Sequence, residues 1–411
     1  MPSLRKSETL QLLQGSQALF PALIQAFDVA VSWIQLETYI FDFHGSGSEV
    51  AHALVRAAQR GVKVQVLVDA VGSGPLPVPW KKTFVDAGVE WLAYSPTGSS
   101  LGLLVPERWR RLHRKLCVVD QSTVFCGGIN ILDDFYDPNY GELTAPRFDF
   151  AVAVTGPLAL EATDAMAQLW WRVKAGYSAR QKHLNAAWEK FKAAGYAERT
   201  DGTQLAPPPE SGMAPLPGVS RAKAALVLRD NLLNRRSIEL AYRKAIGRAR
   251  KEIIIANAYF LPGGKLRRAL IRAARRGVHV TLLLQGKYEY FMPYHAVRPV
   301  YGALLAAGVE IHEYSTSFLH AKVAVVDGHW ATVGSSNLDP LSLLLAREAN
   351  IVVEDRAFTQ DLSVRLRDAV AGHGKRIDPA AYSRRPLGRR LQGWLAYALM
   401  RLALLLTGQR Y

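Results

Sequence analysis

The chain contains one unit twice. Leu54-Val-Arg-Ala-Ala-Gln-Arg-Gly61-Val-Lys-Val aligns with Leu270-Ile-Arg-Ala-Ala-Arg-Arg-Gly277-Val-His-Val, and Ala87-Gly88-Val89-Glu90 with Ala307-Gly308-Val309-Glu310. Leu36-Glu37-Thr-Tyr39 likewise matches Ala256-Asn257-Ala-Tyr259. Each copy reads strand, helix, strand, then a hairpin. Ile34 to Phe41 is rich in β-forming residues, Glu49 to Arg60 has helical apolar spacing closed by Gly61, and Val62 to Val68 is the next strand. Strands alternating with helices imply an α/β layered unit with a largely buried sheet. Duplication then implies two similar lobes related by a pseudo-two-fold axis, each a mixed β-sheet flanked by helices.

Both copies end in the same short motif. His113-Arg-Lys115-Leu-Cys-Val-Val-Asp120 and His320-Ala-Lys322-Val-Ala-Val-Val-Asp327 share the spacing H-x-K-x4-D. Each is followed at equal distance by a small-residue turn ending in Asn: Gly127-Gly128-Ile-Asn130 and Gly334-Ser335-Ser336-Asn337. The copies stand 220 residues apart at Gly88 and Gly308 but 207 apart at the motif histidines. The first half therefore carries about 13 extra residues between Tyr94 and His113, an inserted loop. On a strand, His and Lys two residues apart point to one face. Two motifs meeting at the axis would put two His, two Lys and two Asn around one anion, a single active site at the lobe interface.

Those residue types suit exchange at a phosphodiester. Imidazole titrates near neutrality, so one histidine can attack phosphorus covalently while the other protonates the departing alcohol. The second histidine would then deprotonate the incoming alcohol, which displaces the phosphohistidine in a ping-pong sequence. Lys115 and Lys322, helped by Asn130, Asn337 and Ser336, would hold the non-bridging oxygens. No metal or cofactor is required by this chemistry or suggested by the sequence. Asp120 and Asp327, counted in the catalytic motif, end strands before turns and are expected to cap their hairpins. Glu37 and Asn257 occupy matching strand ends. A Glu in an apolar strand needs a partner, either the reacting groups or a structural hydrogen bond.

At these residues the chain resembles the phospholipase D superfamily, and within it the bacterial cardiolipin synthases of the B type. Beyond the paired motifs, the likeness rests on Ile255-Ala-Asn-Ala-Tyr-Phe-Leu-Pro-Gly263 and on His329-Trp-Ala-Thr-Val-Gly-Ser-Ser-Asn-Leu-Asp-Pro-Leu-Ser-Leu343. It runs from about Leu10 into the basic C-terminal tail. The resemblance implies two phospholipase D-type lobes and transfer of a phosphatidyl group from phosphatidylglycerol to the hydroxyl of a second phospholipid. It favours His113 as nucleophile and implies that Asp149 and Glu348 orient the histidines. The competing reading is hydrolysis, of lipid or nucleic acid, with water as acceptor. A third, a basic nucleic-acid binder with vestigial motifs, fits poorly because both copies keep His, Lys and Asn.

Lys and Arg exceed Asp and Glu to give a formal charge of +16 over 411 residues, a field that attracts phosphate-bearing partners without choosing between nucleic acid and anionic membrane. The lipid resemblance implies an anionic membrane and no nucleic acid; no obligate protein partner is inferred. The two cysteines, Cys117 and Cys126, lie in apolar runs and read as buried core thiols. With no cysteine framework and no leader, the cytoplasm is the expected compartment and the cytoplasmic face of the bacterial membrane the expected place of peripheral action.

The expected organisation is an N-terminal lobe over 1–200, a Pro/Gly-rich linker over 201–219, a C-terminal lobe over 220–383 and a tail over 384–411. Two segments have the character of an interface with lipid. One is the inserted loop, Leu101-Gly-Leu-Leu-Val105 followed by Arg108, Trp109, Arg110 and Arg111; a core strand is the competing reading. The other is the tail, in which Arg384, Arg385, Arg389 and Arg390 precede the apolar Leu391 to Leu406. At about 1.5 Å per residue that stretch is too short to span a bilayer, so it should lie in the interface or pack on the body.

Overall fold

The computed structural model describes residues 4–6, 9–95, 110–180, 222–230, 234–287, 297–339 and 346–406. The apolar part of the inserted loop and the linker anticipated over 201–219 lie outside the described residues.

Seven strands build the first lobe: β1 (Leu10–Gln14), β2 (Trp33–Thr38), β3 (Lys63–Asp69), β4 (Glu90–Tyr94), β5 (Leu116–Val119), β6 (Thr123–Gly127) and β7 (Phe150–Thr155). Seven more build the second: β8 (Lys223–Arg229), β9 (Glu252–Asn257), β10 (His279–Gln285), β11 (Glu310–Tyr314), β12 (Lys322–Val326), β13 (Trp330–Gly334) and β14 (Ala346–Glu354). The first sheet runs β1-β7-β6-β5-β2-β3-β4, and the same order, β8-β14-β13-β12-β9-β10-β11, forms the body of the second, which Gly374–Arg376 extends antiparallel beyond β11. Within each matching set of seven, the last three strands are parallel to one another and the rest antiparallel. The duplicated, mixed-sheet architecture matches the expectation from the repeat.

Local sequence explains the matching turns. Gly61 and Gly277 follow equivalent helices, Ser46–Gln59 and Gly264–Arg275, at φ of 91° and 87°. Only glycine takes that left-handed conformation without a Cβ penalty, so the helix stops and the chain turns into β3 or β10. The first of these helices starts at Ser46, three residues before the apolar periodicity suggests, and β2 ends at Thr38 rather than Phe41.

The sheets pack face to face. Val118, Val124, Cys126 and Val152 of the first lobe share one buried cluster with Val323, Val325, Val333 and Ile351 of the second. Two helices that follow β7 and β14, Pro157–Arg180 and Arg356–His373, contribute Leu158, Met166, Phe358 and Leu362 to the same cluster. Fully burying an aliphatic side chain contributes roughly 1.5–3 kcal/mol, so exposing this shared layer would strip each lobe of a large part of its core. Outer clusters hold the remaining helices against the far face of each sheet.

The lobes also exchange backbone. Arg111–Leu112 pairs in parallel with Ala346–Arg347 of β14, and Arg5–Lys6 adds an edge strand to β8 of the second sheet. Residues 5–6, which a boundary at 200 assigns to the first lobe, thus pair with the second.

Candidate active site

Each motif enters the site just ahead of its hairpin strand. β5 begins one residue after Lys115, and β12 begins at Lys322. The His and Lys are held in extended backbone by bonds across the lobe boundary. The His113 N–H donates to Arg347 O at 3.0 Å, and the His320 N–H donates to Phe148 O at 3.0 Å. Arg347 precedes Glu348 and Phe148 precedes Asp149, so the two exchanges are two-fold equivalents.

That exchange decides which carboxylate meets which imidazole. His113 Nδ1 lies 3.0 and 3.1 Å from the two oxygens of Glu348. His320 Nδ1 lies 2.6 Å from Asp149 Oδ2. Each histidine is therefore paired with the carboxylate of the other lobe, not with the one downstream in its own repeat. The side chains of Glu348 and Lys322 are fully buried and Asp149 is 3% exposed, whereas His113 and His320 keep 16% and 21% open to solvent. A ligand entering from solvent meets the imidazoles.

The turns after the hairpins fit their carboxylates differently. A Cβ on Gly128 would sit 2.3 Å from Asp149 Oδ1, so the first turn has no side chain there and the aspartate fills the space. Its counterpart Ser335 donates from its hydroxyl to Glu348 Oε2 at 2.5 Å. Ser335 was not a sequence candidate. Its position in the repeat, matched to a glycine beside the other carboxylate, is the signal that finds it.

The lysines are held close to the histidines. Lys115 Nζ donates to His113 O at 3.0 Å and stands 5.4 Å from the ring centre of Tyr39, whose ring is 5.0 Å from that of His113. Lys322 Nζ donates to His320 O and lies 2.8 Å from His320 Nδ1 and 3.9 Å from Asp149 Oδ2. Burial pushes Lys115 down to about 7, with the Lys322 charge adding to the shift and Glu348 opposing it. Burial pushes Asp149 up to about 7, against the pull of Lys322. His113 is lowered by burial, countered by Glu348 and reinforced by Lys115 and Lys322; His320 is lowered further, by burial and then by Lys322, Lys115 and His113. Each histidine feels the lysine of the opposite motif, so the two motifs share one electrostatic site.

The other sequence candidates have contacts of their own. Asp120 and Asp327, each directly after its motif strand, adopt φ of 48° and 52°. Asp120 accepts the backbone N–H groups of Val31, Ser32 and Trp33 at 2.8–2.9 Å, and Asp327 those of Arg250, Lys251 and Glu252 at 2.8–2.9 Å. What they fasten is the turn into the neighbouring strand, β2 or β9, rather than their own hairpin. Backbone donors, rather than the histidines or lysines, are the partners these two carboxylates hold. Glu37 is buried against Arg114, its oxygens 2.7 and 2.9 Å from Nη2, so the structural partner is the one found. Asn130 Oδ1 accepts the Ile40 N–H at 3.2 Å, and Asn257 Oδ1 the Leu338 N–H at 3.1 Å. Ser336 is buried and donates from its hydroxyl to Asn337 O at 3.3 Å. Asn337 is buried on the same turn.

One further matched pair escaped the sequence reading. Asp69, at the end of β3, accepts the Leu112 N–H at 2.8 Å; Gln285, at the end of β10, accepts the Leu319 N–H at 3.1 Å. Each therefore clamps the residue immediately before a motif histidine. A polar residue closing an apolar strand at the same place in both repeats was the available sign.

The geometry agrees with what the chain is similar to. A family model described as "Cardiolipin synthase, PLD-like domain" matches residues 23–142 and 242–369. Cardiolipin synthase B of Salmonella typhi is 35% identical over 406 residues, covering 97% of this chain and 89% of that protein. Cardiolipin synthase B of Escherichia coli K12 is 35% identical over 399 residues with the same coverage. Among solved structures, phosphatidylserine synthase of Haemophilus influenzae superposes with a TM-score of 0.64 at 14% identity, over 98% of this chain and 95% of that one, a likeness of fold. With two matched repeats, one shared centre and near full-length similarity, the chain belongs to the phospholipase D-like cardiolipin synthase family.

Proposed function

We propose that the protein is a cardiolipin synthase that moves a phosphatidyl group from phosphatidylglycerol to the hydroxyl of a second phospholipid through a phosphohistidine. The observation that carries this reading is the similarity to cardiolipin synthase B across 97% of the chain, with both His–Lys pairs present and converging. With the Glu348 oxygens accepting the Nδ1–H of His113, the lone pair is left on Nε2. That tautomer suits attack on phosphorus. His320 Nδ1 instead lies between Asp149 and the Lys322 ammonium, an environment suited to passing a proton on.

In this reading the charge of the bound phosphodiester raises His320 and keeps it protonated; His113 Nε2 forms a bond to phosphorus as the bond to glycerol breaks, and His320 delivers its proton to the glycerol oxygen. The hydroxyl of a second phosphatidylglycerol then gives its proton to His320 and displaces His113, so two phosphatidylglycerols yield one cardiolipin and one glycerol. Lys115 and Lys322 offset the charge on the non-bridging oxygens. Asp149, Glu348, Asp69 and Gln285 position the reacting segments. The protein acts peripherally on the anionic cytoplasmic face of the membrane, supported by the +16 charge and two buried thiols of a kind that persists in a reducing compartment.

Purified protein incubated with phosphatidylglycerol liposomes should release cardiolipin and glycerol in equal amounts by mass spectrometry. Phosphatidic acid as the sole lipid product would establish hydrolysis instead.

A further inference from the structure

The C-terminal helix, Leu387–Leu406, docks against the helix Arg298–Leu305 on the outer layer of the second lobe. On its inner face Gly393 and Ala396 are buried and Tyr397 packs on the outer core. Residues as small as the glycine and alanine let two helices approach closely. The outer face is different in kind. Leu387, Leu391, Leu395 and Leu399 recur every fourth residue and are 78%, 71%, 59% and 49% exposed. Docking has thus fixed the helix while leaving an apolar ridge outside.

The root of this ridge is tied to the active site. Arg384 is exposed beside it, and the Arg385 guanidinium stacks 3.2 Å from the centre of the Tyr382 ring. The Tyr382 hydroxyl donates to Arg298 O, and Arg298 pairs with Glu313 at 2.7 Å. Glu313 precedes Tyr314, which lies opposite Gln285, the residue that clamps Leu319 next to His320.

We infer that this leucine ridge is the surface on which the folded enzyme rests on an anionic bilayer, with the helix lying in the headgroup layer. The inference rests on the lipid substrate proposed above. From Leu387 to Leu399 the ridge is about 18 Å long, and at about 10 Å wide it falls well below the roughly 800 Å² that each partner commits to a stable protein interface. A lipid surface sets no such minimum. The basic residue at the root and the +16 charge complement anionic headgroups. Among the described residues no helix is long and apolar enough to cross a membrane. Because the root is tied to the residue before His320, seating the ridge also sets the height of the cleft above the lipid.

The test uses the full chain. Leu387→Ser, Leu391→Ser, Leu395→Ser and Leu399→Ser combined should lower flotation with phosphatidylglycerol/phosphatidylcholine vesicles by about tenfold or more. Melting temperature and turnover of dispersed short-chain phosphatidylglycerol should match the parent. As a second measurement that does not depend on four substitutions, Leu391→Cys carrying a polarity-sensitive dye should shift to the blue with anionic vesicles. The native thiols, buried and pushed up, will not compete for the label. Unchanged flotation or an unshifted dye overturns the inference, as does a parent dimer that the serine variant converts to a monomer with vesicle binding intact. Protein that seats its ridge on vesicles yet makes no cardiolipin overturns the proposed function and leaves the surface standing. Protein that makes cardiolipin with the ridge still in water does the reverse.

Discussion

His113 Nδ1 lies 3.0 Å from Oε1 of Glu348, a residue 235 positions further along the chain. Its counterpart bond joins His320 to Asp149, 171 positions earlier, at 2.6 Å. The crossing makes the two carboxylates separable by experiment. Glu348→Gln should impair the attacking histidine and Asp149→Asn the proton-transferring one, each lowering turnover by about a hundred- to ten-thousand-fold. A donor with a good leaving group needs little protonation and should recover much of the Asp149→Asn loss while leaving Glu348→Gln impaired. Rescue of Glu348→Gln alone would exchange the roles of the two histidines.

If both imidazoles act on one phosphorus, His113→Ala and His320→Ala should each abolish transfer with the fold intact. The double variant should be little worse than either single one, because groups that act as a unit are non-additive. In His320→Ala, an activated donor should leave labelled phosphatidyl on the peptide that contains His113, which mass spectrometry of the denatured protein would reveal.

Asp120→Ala and Asp327→Ala should lower stability rather than disable the chemistry. Each leaves three backbone donors without their acceptor, at a cost of about 1–3 kcal/mol, read as a fall in melting temperature with near-normal turnover of the folded protein. The backbone donors hold both carboxyls below the ordinary aspartate value, against the effect of burial. Their stabilisation is therefore present above the unfolded pKa and is lost as pH falls through the depressed one. Parent and variants should converge in stability in acid. A collapse of turnover with unchanged melting would place both residues in the catalytic set.

Lys115, pushed by burial to about 7, carries its charge below that pH and loses it as pH rises through it. In the free enzyme kcat/KM should therefore fall on the alkaline side of about 7. Bound phosphodiester, an opposite charge, raises the lysine, so the limb in kcat should lie higher. Lys115→Arg keeps a guanidinium that stays charged, so it should turn over more slowly and lose this limb. A limb that survives the substitution belongs to another group.

The parts legible in the sequence were those written twice. The repeat marked the succession of strand, helix, strand and hairpin, the glycines that end helices and the convergence of His113, Lys115, His320 and Lys322. What it could not mark is contact between the copies. Asp149 reads as a companion of the motif just upstream of it, and only the backbone exchange at Arg347 and Phe148 sends it to His320. Asp120 and Asp327 read as hairpin caps because their partners, at Val31 and Arg250, are 89 and 77 residues away. Glu37 was recognisable as a buried charge needing a partner, but Arg114, the residue between the motif His and Lys, became identifiable only in three dimensions.

The reciprocal bonds at the lobe boundary make each half of the chain chemically incomplete. A fragment ending near Arg180 would retain His113 without Glu348, and one beginning near Ala222 would retain His320 without Asp149. Neither could turn over alone, but the two expressed together could reconstitute the site, since every joining contact is noncovalent. A symmetric pair of identical subunits would satisfy the same bonds with two indistinguishable histidines. Fusion into one polypeptide lets the copies diverge, as Gly128 and Ser335 already have, so that one imidazole can specialise in bonding to phosphorus and the other in handling protons.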